Sequence, residues 1–339
     1  MSRERRPPSW WFGDETAPAW TGPLESLYRS ASARRRRVQQ QRAKPVGIPV
    51  LVIGNLIAGG AGKTPLTIAV VERLREWGWH PGVASRGYGR RDAQQARWVE
   101  GSDDPAVAGD EPVVIARRTK VPVRVDVRRA DAAAALRDRG CDIVVCDDGL
   151  QHYALARDIE IEVIDGMRGY GNGRMIPAGP LREPVERAEL CDFRVRNLGS
   201  DTGESGENDF GVWPMHLVAQ RVAALRGPRV RTLAEFAGQR VHAVAGIGHP
   251  ERFFDTLRQH GIAVVPHAFP DHHAYTPEDF DFSSPLPVLM TEKDAVKCSV
   301  FAGEHWYSVP VDAELPAAFW IGLEDRVQQL RQLSLLEAE

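Results

Sequence analysis

The segment Gly54-Asn55-Leu56-Ile57-Ala58-Gly59-Gly60-Ala61-Gly62-Lys63-Thr64-Pro65 constrains the chain more than any other. It stands between a β-branched apolar run at 48–53 and a stretch of helical spacing at 66–77. A glycine-rich turn in that setting presents backbone N–H groups and a helix N-terminus to phosphate oxygens. Lys63 is placed to reach β/γ-phosphates and Thr64 to ligate Mg²⁺, with Gly59, Gly60, Ala61, Gly62 and Pro65 completing the cradle. The spacing departs from GxxxxGKS/T, because the first glycine position falls on Ile57 and glycines stand instead at 54, 59 and 60. Lysine is scarce: Lys44, Lys63, Lys120, Lys293 and Lys297 stand against 38 arginines, so a lysine inside a motif invites a chemical explanation.

From residue 48 onward strands alternate with helices. Strands are expected at 82–85, 121–125, 142–146 and 159–164, with a helix at 131–137. A second series follows at 241–245, 251–260, 262–265 and 287–290. This pattern predicts an α/β fold: a phosphate-loop NTPase-like domain with a mostly parallel sheet, a smaller α/β domain, and an N-terminal amphipathic helix. The expected organisation is an arm at 1–46, the phosphate-loop kinase domain at 47–200, a linker with extended strands at 201–240, a second α/β domain at 241–322 and a closing helix at 323–339. Residues 198–209 read as a polar loop.

Asp147-Asp148 ends the apolar strand pattern Ile143-Val144-Val145-Cys146, where a phosphate-loop enzyme places its magnesium carboxylate. Asp110 in Gly109-Asp110-Glu111-Pro112 either accepts a proton from an attacking hydroxyl or caps the helix that follows; spacing alone leaves both open. In Asp271-His272-His273 neighbouring side chains diverge and no HxxxH or CxxC completes a zinc site, so a polar loop or a catalytic histidine is expected there. The four cysteines are scattered without CxxC spacing, which argues for a reducing compartment.

Residues 1–46 carry ten Lys/Arg against four Asp/Glu, although the whole chain has a formal charge of −3. A basic arm on an acidic body suggests an anionic partner. Trp10, Trp11, Phe12 and Trp20 precede a stripe of Leu24, Leu27, Tyr28 and Ala31, followed by Arg34–Arg37. Such a segment suits a helix lying in a membrane interface, or equally one docked on the protein's own core. No run of about 18 apolar residues offers a span.

Taken in order, GNLIAGGAGKTP (54–65), SRGYGR (85–90), GDEP (109–112), DDGLQH (147–152), GNGRMIPAGPLREP (171–184), AGIGHPERFF (245–254), FPDHHAYTPEDF (269–280) and TEKDAVK (291–297) closely resemble the tetraacyldisaccharide 4′-kinase family, the lipid A 4′-kinases of Gram-negative bacteria. The resemblance implies ATP- and Mg²⁺-dependent phosphorylation of the 4′-hydroxyl of a tetraacylated glucosamine disaccharide 1-phosphate, giving lipid IVA. It places the protein peripherally at the cytoplasmic face of the inner membrane. By the same resemblance Lys63 and Thr64 are the loop lysine and metal ligand, Asp147 and Asp148 the metal-side acidic motif, Asp110 the catalytic base and His272 its partner. Glu111, Gln151, Arg129 and Arg182 are implied in metal, nucleotide or substrate-phosphate contacts.

A phosphate loop alone does not name its acceptor, so a nucleotide-switched binding protein or GTPase is the rival. Thr291-Glu292-Lys293-Asp294 resembles a guanine-reading NKxD only superficially. A nucleic-acid partner is not expected, given the acidic body and the lack of a recognition motif, and the sequence points to no protein partner.

Overall fold

The computed structural model describes residues 7–199 and 210–336. The polar loop expected at 198–209 lies almost wholly outside them, as do Arg3, Arg5 and Arg6 of the basic arm.

A nine-stranded sheet organises the first lobe. Its strands are β1 (Val50–Gly54), β2 (Pro81–Ser85), β3 (Arg97–Val99), β4 (Val123–Val125), β5 (Ile143–Asp147), β6 (Ile159–Asp165), β7 (Phe193–Gly199), β8 (Val212–Val218) and, from near the chain's end, β15 (Asp312–Glu314). The spatial order is β15-β8-β7-β6-β1-β5-β2-β4-β3. The strands from β8 to β4 run parallel, and only β3 and β15 pair antiparallel, one at each edge. Every residue of β1 and β5 is buried, which is why both read as continuous apolar runs.

Helices cover both faces. Lys63–Glu76 (following two N-terminal helices, Ser9–Phe12 and Thr21–Arg42) and Asp110–Thr119 pack one core with Leu66, Val70, Val113 and Ile115. Arg129–Asp138 helps form the opposite core with Ala132 and Leu136. The second lobe has a six-stranded sheet of β9 (Arg221–Ala224), β10 (Val230–Thr232), β11 (Arg240–Ala245), β12 (Ala263–Ala268), β13 (Val288–Thr291) and β14 (Trp306–Val309), in the order β10-β9-β14-β13-β11-β12.

The segment expected as a linker at 201–240 divides between the sheets: β8 lies inside the first, while β9 and β10 edge the second. The last helix, Ala317–Leu336, starts earlier than the apolar spacing suggested and returns to the first lobe, where Phe319, Leu323 and Val327 are fully buried. Sequence periodicity reveals an apolar stripe but not which sheet covers it.

This chain path brings the motifs together. In parallel sheets ligands bind beyond the carboxyl ends of strands. The loops after β1, β2, β5 and β6 leave the carboxyl edge of the first sheet, and those after β11, β12 and β13 leave the corresponding edge of the second.

The N-terminal arm is partly fastened to the body. Trp11 Nε1 donates to Pro177 O at 3.0 Å, and buried Glu25 accepts from Arg174 at 2.7 and 3.0 Å and from Met175 N at 2.8 Å. Trp20 and Leu27 remain exposed, at 59% and 68%. Among the described residues no helix is long and apolar enough to cross a membrane.

Phe319 packs edge-on against Phe193, Trp213 and Trp320. Phe319→Ala is expected to cost about 3–5 kcal/mol, a typical range for truncating a buried aromatic. Urea unfolding should show a lower midpoint; an unchanged midpoint would mean that the last helix does not anchor the first lobe.

Candidate active site

The glycine-rich turn closes on itself through side chains around it. Gly62, at φ 89°, and Gly59, at φ 112°, adopt conformations that L side chains rarely take. Asn55, fully buried, donates through Nδ2 to Gly59 O at 3.0 Å and accepts from Lys63 Nζ at 3.2 Å. Lys63 opens the helix behind the loop and Pro65 sits in its first turn, where its missing N–H is harmless. The departures from the usual loop pattern have a packing reason. Ile57 is buried and bridged to Leu181, and Ala58 N donates to Pro180 O at 2.8 Å.

Behind the loop lie the two aspartates ending β5. Asp148 Oδ1 is 3.4 Å from Lys63 Nζ and 3.7 Å from Arg182. Burial pushes the Asp148 carboxyl up, but the charges of Lys63 and Arg182 outweigh it and hold it below the usual range. Asp147 goes the other way: burial, then repulsion from Glu111 and Asp148, pushes it up to about 7. Thr67, rather than Thr64, donates to Asp147, at 3.1 Å. Thr64 lies buried in the same helix's first turn.

Gln151 supports the loop from outside. Its amide donates to Asn55 O at 3.0 Å and Glu183 at 3.3 Å, while Arg182 donates to its oxygen at 3.3 Å. Arg129 is buried, with Nη1 donating to the carbonyls of Asp126 and Val127 at 3.2 Å each.

Asp110 and His272 meet across the lobes. Asp110 is the first residue of its helix and does not cap it; Gly109 occupies the cap position. His272 Nδ1 lies 2.9 Å from Asp110 Oδ2, and Glu111 N donates to Asp110 Oδ1 at 2.9 Å. Burial pushes the Asp110 carboxyl up, but the His272 hydrogen bond and the charges of Lys293, His272 and Lys297 hold it far below the usual carboxylate range. The same bond raises His272 against the opposing effect of burial. The adjacent histidines diverge as expected, since His273 pairs with Asp279 at 3.0 Å. Among the described residues no group of three or more His, Cys, Asp or Glu side chains is arranged to hold a metal.

Two residues that sequence reasoning passed over join this cluster. Lys297 Nζ is 3.5 Å from both Asp110 and Asp294, and Lys293 hydrogen-bonds Glu111. Both stand on the short helix Glu292–Cys298 of the second lobe. The scarcity argument that singled out Lys63 applies equally to them, since three of the five lysines lie at this one site. The segment 291–294 does not resemble a base-reading loop in space. Asp294 is fully buried, accepting from Gly246 N at 2.9 Å and Thr291 Oγ1 at 2.6 Å, and Lys293 is engaged by Glu111.

A lobe built on a mostly parallel sheet, with a glycine-rich turn and Lys63-opened helix beyond its first strand, closed by a second α/β lobe, defines a phosphate-loop α/β protein. The comparisons narrow the class. The family model described as tetraacyldisaccharide-1-P 4′-kinase matches residues 18–328. A tetraacyldisaccharide 4′-kinase of Stenotrophomonas maltophilia is 59% identical over 329 residues, covering 96% of this chain and 97% of that one. One from Xylella fastidiosa is 58% identical over 337 residues, covering 97% and 99%. A crystal structure of LpxK from Aquifex aeolicus in complex with ATP superposes with a TM-score of 0.76 at 23% identity, covering 91% of this chain and 97% of that chain, and it supports the fold. The chain belongs to the tetraacyldisaccharide-1-phosphate 4′-kinase family.

The Asp110–His272 pair sets a pH dependence. His272 has its pKa raised above the ordinary 6.5 on folding, so its stabilising contribution is complete below that value and is lost as pH rises through the raised one. Asp110, held low, keeps its contribution at both neutral and alkaline pH. His272→Gln should therefore lower the melting temperature more at pH 6 than at pH 9. An equal drop at both would contradict the assigned ion pair.

Proposed function

We propose that the protein transfers the γ-phosphoryl group of ATP to the 4′-hydroxyl of a tetraacylated glucosamine disaccharide 1-phosphate, giving the bis-phosphorylated product, lipid IVA. The observation that carries this reading is the buried Asp110–His272 pair, contributed by opposite lobes and adjoining the loop-side carboxylates through Glu111. Switch-type nucleotide binding does not call for such a pair, whereas alcohol phosphorylation needs an acceptor for the hydroxyl proton.

Phosphoryl transfer depends mainly on positioning and charge stabilisation around a loose in-line transition state. Lys63 and the amides of Gly59–Thr64 bind the β/γ-phosphates. Asp110 orients the sugar hydroxyl and receives its proton as the oxygen bonds the γ-phosphorus and the bond to the β,γ-bridging oxygen breaks, releasing ADP. His272 fixes the carboxylate's direction, and Lys297 shares the charge of the same oxygen. Arg182 supplies positive charge for substrate phosphate, and Arg129, buried and bonded to the carbonyls of Asp126 and Val127, acts through its field rather than by contact. The second lobe excludes water, so the glycolipid rather than solvent is phosphorylated.

Among the described residues the carboxylates do not by themselves form a ready three-ligand group, but they suit a magnesium ion held jointly with phosphate oxygens. Asp148 Oδ1 is buried with ion-pair partners but no hydrogen-bond donor, and Asp147 is repelled by Glu111 and Asp148, a concentration of negative charge that a cation relieves. Thr64, Asp147, Asp148 and Glu111 would hold it, together with phosphate oxygens. Magnesium supplies charge neutralisation on the transferring phosphates.

A lipid acceptor also gives the arm a purpose. Exposed Trp20, Leu24, Leu27 and Val38 lie on a helix that carries Arg34–Arg37, suited to the anionic cytoplasmic face of the inner membrane.

With labelled ATP, Mg²⁺ and the disaccharide 1-phosphate, the wild-type protein should form a bis-phosphorylated lipid. Asp110→Asn should slow transfer by about 10²–10⁴-fold while ATP binding stays within about twofold. Near-normal turnover would remove the base assignment. Deleting residues 1–43 should weaken binding to anionic vesicles more than to neutral ones, and equal losses would refute the electrostatic part of membrane docking.

A further inference from the structure

Two loop carbonyls are gripped from the side of β6 and β7. Arg168 Nη2 hydrogen-bonds Gly60 O, and Asn197 Nδ2 donates to Ala61 O at 3.0 Å. In a planar trans peptide the carbonyl of one residue and the N–H of the next point in opposite directions. Fixing those carbonyls therefore turns the N–H groups of Ala61 and Gly62 away from β6 and β7. The two left-handed glycines make room for this grip. A Cβ on Gly62 would lie 2.3 Å from Asn197 Nδ2, and one on Gly59 would lie 3.1 Å from Arg168 Nη1.

Arg168 is itself held. Asp165, fully buried at the end of β6, accepts from Arg168 Nη2 at 3.0 Å. The same carboxylate accepts from Arg252 at 2.9 and 3.2 Å, a two-pronged pairing from the second lobe's helix Pro250–Gln259. One buried carboxylate thus joins an arginine that bonds the phosphate loop to an arginine on the opposite lobe. Paired charges in such a site are costly to separate, so the second lobe's position and the loop's peptide orientation are tied.

We propose that Arg168 is a positioning residue that sets the loop amides for phosphate, and that Asp165 couples this setting to the second lobe through Arg252. The proposal rests on the nucleotide-binding part of the proposed function. None of the three side chains need touch the reacting atoms.

The test measures ATP dissociation constants, and KM for ATP and for the lipid, in wild type, Arg168→Met, Arg168→Lys, Arg252→Met and the double Met variant. Arg168→Met should weaken ATP binding by about tenfold, the scale of one charge-assisted hydrogen bond, with the lipid KM unchanged. Arg168→Lys, which keeps a donor but not the fork, should fall between wild type and Met and guards against a misfolded Met variant. Arg252→Met should weaken ATP binding by a few-fold. The double variant should bind ATP no worse than Arg168→Met, because Arg252 acts through Arg168. Multiplicative losses in the double variant, or unchanged ATP binding in Arg168→Met, would overturn the proposal while leaving the kinase reading intact. A wild-type protein that fails to bind ATP would overturn that reading and this proposal together.

Discussion

Charge buried at the boundary between the lobes is the constraint on which the site depends. Asp110, Glu111 and Asp165 come from the first lobe, and each is neutralised by cations of the second: His272 and Lys297, Lys293, and Arg252. The arrangement is reciprocal at Glu292, a second-lobe carboxylate that accepts from Arg118 of the first lobe at 3.0 and 3.1 Å. A carboxylate removed from water is tolerated only when paired and hydrogen-bonded. Neither lobe can therefore present these groups in this state alone. The geometry around Asp110 is a property of the closed pair of lobes rather than of the helix that carries it.

Such pairing becomes available because the carboxyl ends of the parallel strands in both sheets lead into the segments that carry most of these side chains. Asp165 ends β6, Glu292, Lys293 and Lys297 stand on the helix directly after β13, and Asp110, Glu111 and Arg252 stand in the first turns of their helices. The return of the chain through β15 and the final helix adds a mechanical link, since the second lobe is held to the first at both of its chain connections.

The strand–loop–helix at 50–76 was legible because local rules suffice there: a fully buried strand, glycines at left-handed positions, and a lysine where arginine is the habit. The pairing of Asp110 with His272 was reached only through family resemblance, since no local rule joins residues 162 positions apart. Lys293 and Lys297 stand among the scarce lysines and in the TEKDAVK segment, but spacing gives them no role, because their partners Glu111 and Asp110 lie far away in the chain. Ile57 looked like a misfit in the loop, yet its bridge to Leu181 shows an apolar anchor on a neighbouring segment. The destinations of β8 and the last helix were illegible for a topological reason: an amphipathic stripe fixes that a face is covered, not by which sheet.

Part of the N-terminal arm serves the protein's own packing. Trp11 donates to Pro177 O, and Phe12 lies under the Arg168 guanidinium at 5.3 Å, so part of the aromatic cluster belongs to the protein's own packing. Glu25 is bonded to Arg174 and Met175 on the same 168–184 segment that supplies Arg168 to the loop and Arg182 to Asp148. The exposed Trp20, Leu24 and Leu27 thus stand at or on a helix fixed through one segment to the residues around the glycine-rich turn. In the proposed membrane docking, contact through this helix would set the height and tilt of the glycine-rich turn and Asp110 above the surface. An acceptor that stays embedded by its acyl chains while offering a sugar hydroxyl requires that registration, whereas a freely diffusing sugar would not.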